Sequence, residues 1–258
     1  MRTKEEICAN WLPRYTGTKV EDFADYILVT NFQDYVVRFA RLMDCEIQGV
    51  DRAMPNATCK KKNVSIINYG MGSANAATIM DLLTARQPKG VLFLGKCGGL
   101  KPSTEIGHFV LPIAAIRGEG TSDDYLHPKV PALPSFKMHK FISQKIVERG
   151  YDYRTGVVYT TNRRVWEYDE DFRNRLLEMT ALAIDMETAT IFIVGHKNEI
   201  PRGALLLVTD IPITPDGVKT EKSDKAVNLK WSDIHLDIGI ASVRDLGTQG
   251  EQIKHFRY

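Results

Sequence analysis

The 258-residue chain has few cysteines, almost no net charge and no long apolar run. Its four cysteines (Cys8, Cys45, Cys59 and Cys97) lie far apart and form no CxxC pair. That spacing argues against a disulfide framework or a structural zinc site, and for reduced thiols in a cytoplasmic protein. Lys+Arg number 34 against 32 Asp+Glu, a formal charge of +2, so no concentrated basic face is available and nucleic acid is not an expected partner. No stretch approaches the roughly 20 apolar residues that span a bilayer, so no membrane partner is expected. The opening residues, Met1 to Tyr15, include two glutamates and no apolar core of a secretory leader. The six histidines, at 108, 127, 139, 196, 235 and 255, have no metal-ligand spacing and read as surface or structural residues; neither a metal nor an organic cofactor is expected. Repeats and low-complexity segments are also missing.

What is present is an α/β pattern. Tyr26–Thr30, Val64–Tyr69 and Gly90–Leu94 read as buried strands, with helical spacing over Asp34–Met43 and Asn75–Arg86 between them. The near-continuous apolar runs suit strands covered on both faces, and strand–helix–strand at this pitch implies parallel βαβ units. The second half continues less regularly. Strands are expected at Phe109–Ile116, Thr155–Thr160, Ala181–Ile184 and Leu205–Val208, and helices at Phe136–Arg149, Asp171–Met179, Glu187–His196 and Ser232–Leu246. Loops at 117–134 and 211–230 are long enough to serve as binding loops. No stretch reads as a linker, so the expectation is one domain over 1–258, with residues 1–22 as a helical or partly ordered extension and no separate regulatory domain.

Two glycine clusters follow strands: Gly70-Met71-Gly72 and Gly95-Lys96-Cys97-Gly98-Gly99. The first lacks the third glycine of a dinucleotide fingerprint, the second is followed by Leu100-Lys101-Pro102, and neither is a Walker loop. A nicotinamide enzyme is therefore disfavoured. Either cluster alone can be a tight turn; together they suggest a small-ligand floor at the carboxyl ends of parallel strands. Asp185-Met186-Glu187 ends one apolar strand and Asp210 ends another, which would bring carboxylates near each other. A lone Asp there can equally be a helix N-cap.

In chain order, Asn68-Tyr69-Gly70-Met71-Gly72, Leu94-Gly95-Lys96-Cys97-Gly98-Gly99-Leu100, Thr160 to Glu167, Ala183 to Thr190 and Leu207-Val208-Thr209-Asp210 resemble the purine nucleoside phosphorylase and nucleosidase superfamily. The Thr160-Thr161-Asn162 to Trp166-Glu167 segment and the Cys97-Gly98-Gly99-Leu100 stretch are similar, within it, to the AMP nucleosidase family. The similarity runs over roughly 26–247. It implies a three-layer α/β/α fold with a central mixed, twisted sheet flanked by helices. It also implies Asp210 as the general acid that protonates purine N7, since an N-glycosidic bond breaks more easily when the purine leaves neutral. Glu187 would hold the ribose hydroxyls, although a Glu there can also be a first-turn helix residue. Met186 would pack under the sugar or be plain core, Asp185 would assist at the ribose, and Trp166 would stack on the adenine face or be an ordinary half-buried Trp. Gly72 and Gly98 belong to the floor. Cys97 has no base beside it in the sequence and gets no nucleophilic role.

Phosphorylases of the superfamily hold inorganic phosphate with a glycine and an arginine after the first strand, and with an Arg and a Ser in the central glycine stretch. Here the first strand runs into Thr30-Asn31-Phe32-Gln33-Asp34, Phe93 stands for the arginine, and Lys96 for the serine. Water is then the expected nucleophile, with Asn31 and Glu187 as candidates to orient it. A 5′-phosphate needs cations, and Arg52, Lys96, Arg163, Arg164 and Lys219 are the candidates, Arg52 as a residue lent by a neighbouring subunit. Ile211 follows Asp210 where several relatives carry Lys. The expected activity is hydrolysis of AMP to adenine and ribose 5-phosphate in a homo-oligomer, a hexamer built from dimers. The alternatives are a purine nucleoside phosphorylase, a methylthioadenosine nucleosidase, or a catalytically silent adenine-nucleotide sensor.

Overall fold

The computed structural model describes residues 1–214 and 216–249. The first half runs α1 (Lys4–Thr16), β1 (Tyr26–Thr30), α2 (Gln33–Met43), β2 (Ile47–Gln48), β3 (Asn56–Cys59), β4 (Val64–Asn68), α3 (Ser73–Leu82) and β5 (Gly90–Gly99). The second half runs β6 (Phe109–Gly118), α4 (Phe136–Glu148), β7 (Tyr153–Thr161), α5 (Glu170–Glu178), β8 (Ala183–Asp185), α6 (Thr188–Lys197), β9 (Arg202–Asp210) and α7 (Glu221–Gln249).

The strands form one mixed sheet in the order β2-β3-β4-β1-β5-β8-β7-β6-β9, and β9 pairs back onto β5. The sheet thus has an open wing, β2 to β1, and a closed ring made by β5, β8, β7, β6 and β9. Helices cover both faces, as the sequence pattern predicts. The alternation along each strand assigns side chains to the two layers. Val91, Phe93, Ala204, Leu206 and Val208 join Ile27 and Val29 under α1, α3 and α6. Leu92, Leu94, Leu205 and Leu207 join Leu28 under α2, α4 and α7. Both halves of each apolar run are therefore buried, which is why these strands read as continuous rather than alternating.

Several expectations are corrected. Strand β5 does not stop at Leu94: it continues through Gly99, and Gly98 and Gly99 pair with Ile184 and Ala183 of β8. The second glycine cluster is strand rather than loop, because residues without side chains let β8 and the Pro212 loop close in. A Cβ at Gly98 would lie 2.8 Å from Pro212 Cγ. Residues 1–22 are not an appendage, since Leu12 of α1 is fully buried in the core. Helix α7 starts at Glu221, not Ser232. The Thr220 and Ser223 hydroxyls each accept from the other's backbone N–H, a reciprocal cap that starts the helix in a polar stretch without apolar periodicity. The short β2–β3 edge was also not anticipated, because Asn56-Ala57-Thr58-Cys59 lacks a strand-like apolar run.

A buried polar link ties α7 to the sheet. His235 Nε2 is 2.9 Å from the Leu205 carbonyl oxygen and its Nδ1 is 2.8 Å from Tyr35 Oη. A carbonyl can only accept, so Nε2 carries the proton and Nδ1 accepts from the tyrosine. Burial drives the His235 pKa from 6.5 to about 3. The unfolded chain gains a proton near its ordinary pKa while the folded chain resists until far lower pH. The neutral imidazole therefore stabilises the fold fully above about pH 6.5, and this contribution drains away as the pH falls towards about 3. Thermal melts at about pH 7 and about pH 5 are expected to show a larger loss of Tm in the wild type than in His235→Gln. Equal losses would contradict the assignment.

Candidate active site

The site is built where the ring closes. Strand β8 is short and wedged between β5 and β7, with Ile184 opposite Gly98 and Asp185 opposite Thr160. Its end delivers Asp185, Met186 and Glu187 just before α6. On the other side of β5, the parallel pairing with β9 slips between Cys97 and Gly98: Cys97 faces Val208 but Gly98 faces Asp210. Thr209 is thus an extra residue, a bulge that re-aims the strand end carrying Asp210. A cavity of about 200 Å³ lies between these strand ends. A larger hollow, about 1030 Å³, opens beside the β2–β3 edge and α7. It contains neither Asp185, Glu187 nor Asp210, and two of its cations are already engaged, Lys60 with Asp22 and Arg149 with Asp237. The smaller cavity is the one lined by Asp185, Glu187 and Asp210.

Asp185 is saturated with donors. Its Oδ1 accepts from the Thr160 hydroxyl at 2.7 Å, and its Oδ2 accepts from the Thr188 hydroxyl at 2.6 Å and from the N–H groups of Thr188 and Glu187 at 2.7 and 3.1 Å. Glu187 Oε1 accepts from the Gly72 N–H at 2.8 Å and from Asn31 Nδ2 at 3.2 Å. Burial first, and then the negative charge of Asp185, push the Glu187 pKa up to about 8. Burial also pushes Asp185 up, against the pull of its hydroxyl and amide donors. With four donors spread over both oxygens of Asp185 and two donors on one oxygen of Glu187, Asp185 is the ionised partner and Glu187 carries the proton that the pair retains at neutral pH.

Asp210 faces them from β9. Its Oδ1 accepts from the Thr209 hydroxyl at 2.9 Å, and the hydroxyl oxygen in turn accepts from Lys219 Nζ at 3.2 Å. Burial raises the Asp210 pKa, while the charge of Lys219, the Thr209 bond and Arg164 pull it back. Lys96 lies 3.8 Å above the Phe32 ring, and burial, aided by the charge of Lys219, lowers its pKa to about 8. Among the described residues no group of three or more His, Cys, Asp or Glu side chains is placed to hold a metal ion, and no helix is long and apolar enough to cross a membrane.

Asn31, Lys96, Gly98, Arg163, Arg164, Trp166, Asp185, Met186, Glu187, Asp210 and Lys219 all border the cavity. Gly72 reaches it through its amide alone. Three candidates fare differently. Arg52 stands outside, exposed beside Asp51 in the turn that follows Gly49. Arg163 is spent on the fold: it pairs with Asp169, the N-cap of α5, at 2.8 Å. Trp166 borders the cavity, is 4% exposed and packs against Phe172 with ring centroids 5.5 Å apart. Cys97 is buried with its pKa raised, first by desolvation, in keeping with an inert thiol. His235 is structural, and His255 lies outside the described residues. Sequence reading missed Thr160, Thr188 and Thr209, the hydroxyls that fix the acids, although each sits in or beside a segment it singled out. It also missed Asp224 and Asn228 of α7, which it placed in a loop.

A family profile described as the phosphorylase superfamily matches residues 25–233. The AMP nucleosidase of Escherichia coli K12 is 30% identical over 290 aligned residues, covering 94% of this chain and 59% of that protein. The chain therefore spans about three-fifths of that relative's length. A crystal structure of AMP nucleosidase from Bacteroides thetaiotaomicron superposes with a TM-score of 0.85 at 51% identity, covering 96% of this chain and 100% of that one. Uridine phosphorylase from Vibrio fischeri, at 20% identity and a TM-score of 0.76 over 86% of this chain and 93% of its own, shares the fold.

Gly72 offers a direct check on the carboxylate pair. Its backbone, at φ 95° and ψ 160°, lies in a region essentially confined to glycine, while a Cβ there would meet nothing within 4 Å. Gly72→Ala should therefore cost about 1–3 kcal/mol of unfolding free energy through backbone strain alone, read as a lower denaturation midpoint. An unchanged midpoint would show that the turn does not need this conformation to hold Glu187.

Proposed function

The chain belongs to the phosphorylase superfamily, and on that footing we propose that it is an N-glycosidase that hydrolyses AMP to adenine and ribose 5-phosphate. The observation that carries this reading is the composition of one cavity. It sets a desolvated Asp210 at one strand end and a buried carboxylate pair at another, with the ammonium groups of Lys96 and Lys219 beside them. A purine nucleotide has matching parts: a basic N7, two vicinal hydroxyls and a dianionic phosphate.

In this reading Asp210 donates a proton to N7 as the glycosidic bond lengthens, and its burial works in the direction an acid requires. As substrate binds, Glu187 releases its proton to solvent and accepts hydrogen bonds from the two ribose hydroxyls in its place, and Met186 floors the sugar beside it. Lys96, Lys219 and the half-exposed Arg164 take the 5′-phosphate. Water supplies the hydroxyl group at the anomeric carbon and its other proton restores Asp210, with Asn31, already bonded to Glu187, as the group that orients the water. Hydrolysis is favoured over phosphorolysis because the arginine that phosphorylases use is replaced by Phe93, which is fully buried against Tyr69 in the core. The reading also includes a homo-oligomer, a hexamer built from dimers, in the cytoplasm. Exposed Met71, which lines the cavity, and exposed Val165 and Tyr168 next to lining residues favour a covered mouth, and the exposed Arg52, 3.7 Å from Asp51, is on hand for a neighbouring copy.

Incubation with AMP or adenosine, with and without inorganic phosphate, followed by chromatography of free adenine, tests the proposal. Adenine from AMP in phosphate-free buffer, with adenosine a poor substrate, is expected. Adenine from the nucleoside only when phosphate is present would make the protein a phosphorylase, and AMP bound but uncleaved would make it a sensor. Asp210→Asn should lower kcat by about 10²–10⁴-fold with little change in assembly, whereas an almost fully active variant would remove Asp210 from the acid role.

A further inference from the structure

The cationic end of the cavity already has a counter-ion. Lys96 Nζ donates to Asn228 Oδ1 at 2.5 Å, Asn228 Nδ2 donates to Asp224 Oδ2 at 2.9 Å, and Asp224 Oδ1 lies 3.4 Å from Lys219 Nζ. Asp224 and Asn228 stand one turn apart on α7, so one helix face meets both lysines. The first turn of a helix suits a carboxylate, which explains why an Asp is tolerated there. It does not explain why Asp224 Oδ1 is sealed from solvent with no hydrogen-bond donor and only the Lys219 ammonium at ion-pair distance.

We propose that Asp224 tunes the phosphate affinity of the cationic end: its carboxylate, facing Lys219 directly and linked to Lys96 through Asn228, is the resident counter-ion of both lysines, and an incoming phosphomonoester must take both ammonium groups from it. The proposal rests on the AMP reading and deepens it. A nucleoside without phosphate brings nothing that competes with Asp224, so both lysines stay with α7. A singly charged anion merely exchanges one carboxylate-like charge for another. A dianion on a tethered sugar gains more from two ammonium groups than Asp224 offers them, and so displaces it. The competition runs through groups on several elements: Lys96 on β5, Lys219 in the loop after β9, Asp224 on α7, with Asp34 and Arg38 of α2 also acting on Lys96. Burial and Lys219 lower the Lys96 pKa while Asp224 holds it up, which fits a carboxylate that keeps the empty site charged.

Two isosteric changes give opposite signs for a charge role and the same sign for a structural one. Calorimetric binding of ribose 5-phosphate and of ribose to the full chain would be measured at about pH 6.5, where Lys96 keeps its proton. The wild type should bind ribose 5-phosphate better than ribose. Asp224→Asn removes the competitor and should tighten ribose 5-phosphate about five- to tenfold, with ribose unchanged. Asn228→Asp adds a second competitor against Lys96 and should weaken it by a similar factor. Weaker binding in both variants, or no change in either, overturns the proposal while leaving the AMP reading intact. A wild type that does not prefer the phosphorylated sugar overturns both.

Discussion

Two carboxylates that cannot both ionise cheaply in one buried place organise this protein. Asp185 and Glu187 are separated by a single residue at the end of β8, almost without solvent contact. Such a pair persists only if the surroundings supply donors to one member and a proton to the other. Thr160 of β7, Thr188 of α6 and the two adjoining amides serve Asp185, while the Gly72 amide before α3 and Asn31 after β1 serve Glu187. Two elements and two connecting turns are thus aimed at one spot. The glycine conformation at position 72, the shortness of β8 and the threonines that look like ordinary strand and helix residues all follow from that requirement.

Ring closure supplies the rest. Because β9 returns to β5, the end of β9 lies across the glycine-rich half of β5 from β8, and the bulge at Thr209 turns Asp210 into the space between them. The same hydroxyl that bonds Asp210 also receives Lys219, so the acid and the cationic end are joined through one side chain. An acid raised by burial and restrained by a nearby ammonium is sensitive to what occupies the cationic end. The acids come from strand ends, while the loops after β1 and β9 contribute Asn31, Phe32, Pro212, Lys219 and the turn that reaches α7.

Much of this was legible in the sequence, and the reasons are local. Long apolar runs exposed β1, β4, β5 and β9, because strands covered on both faces have no polar positions to confuse the pattern. Asp185, Glu187 and Asp210 stood out as charges at the ends of such runs. What could not be read depended on contacts distant in sequence. Gly95–Gly99 looks like a loop until β8 and β9 pair with it. The first turns of α7 look like a polar loop until Thr220 and Ser223 cap each other and Asp224 finds Lys219. Trp166 and Arg163 border the cavity, and the sequence does not reveal that they also pack against Phe172 and pair with Asp169 of the neighbouring segment. Arg52 keeps its charge outside this chain's own cavity.

At neutral pH the Asp185–Glu187 pair holds one proton, on Glu187. Infrared difference titration of the ligand-free protein, comparing wild type with Glu187→Gln, tests it directly. A protonated carboxyl signal should be present at neutral pH, disappear as the pH rises through about 8, and be missing from the variant. A wild-type spectrum with no such signal at neutral pH, or one that survives in Glu187→Gln unchanged, would contradict the claim.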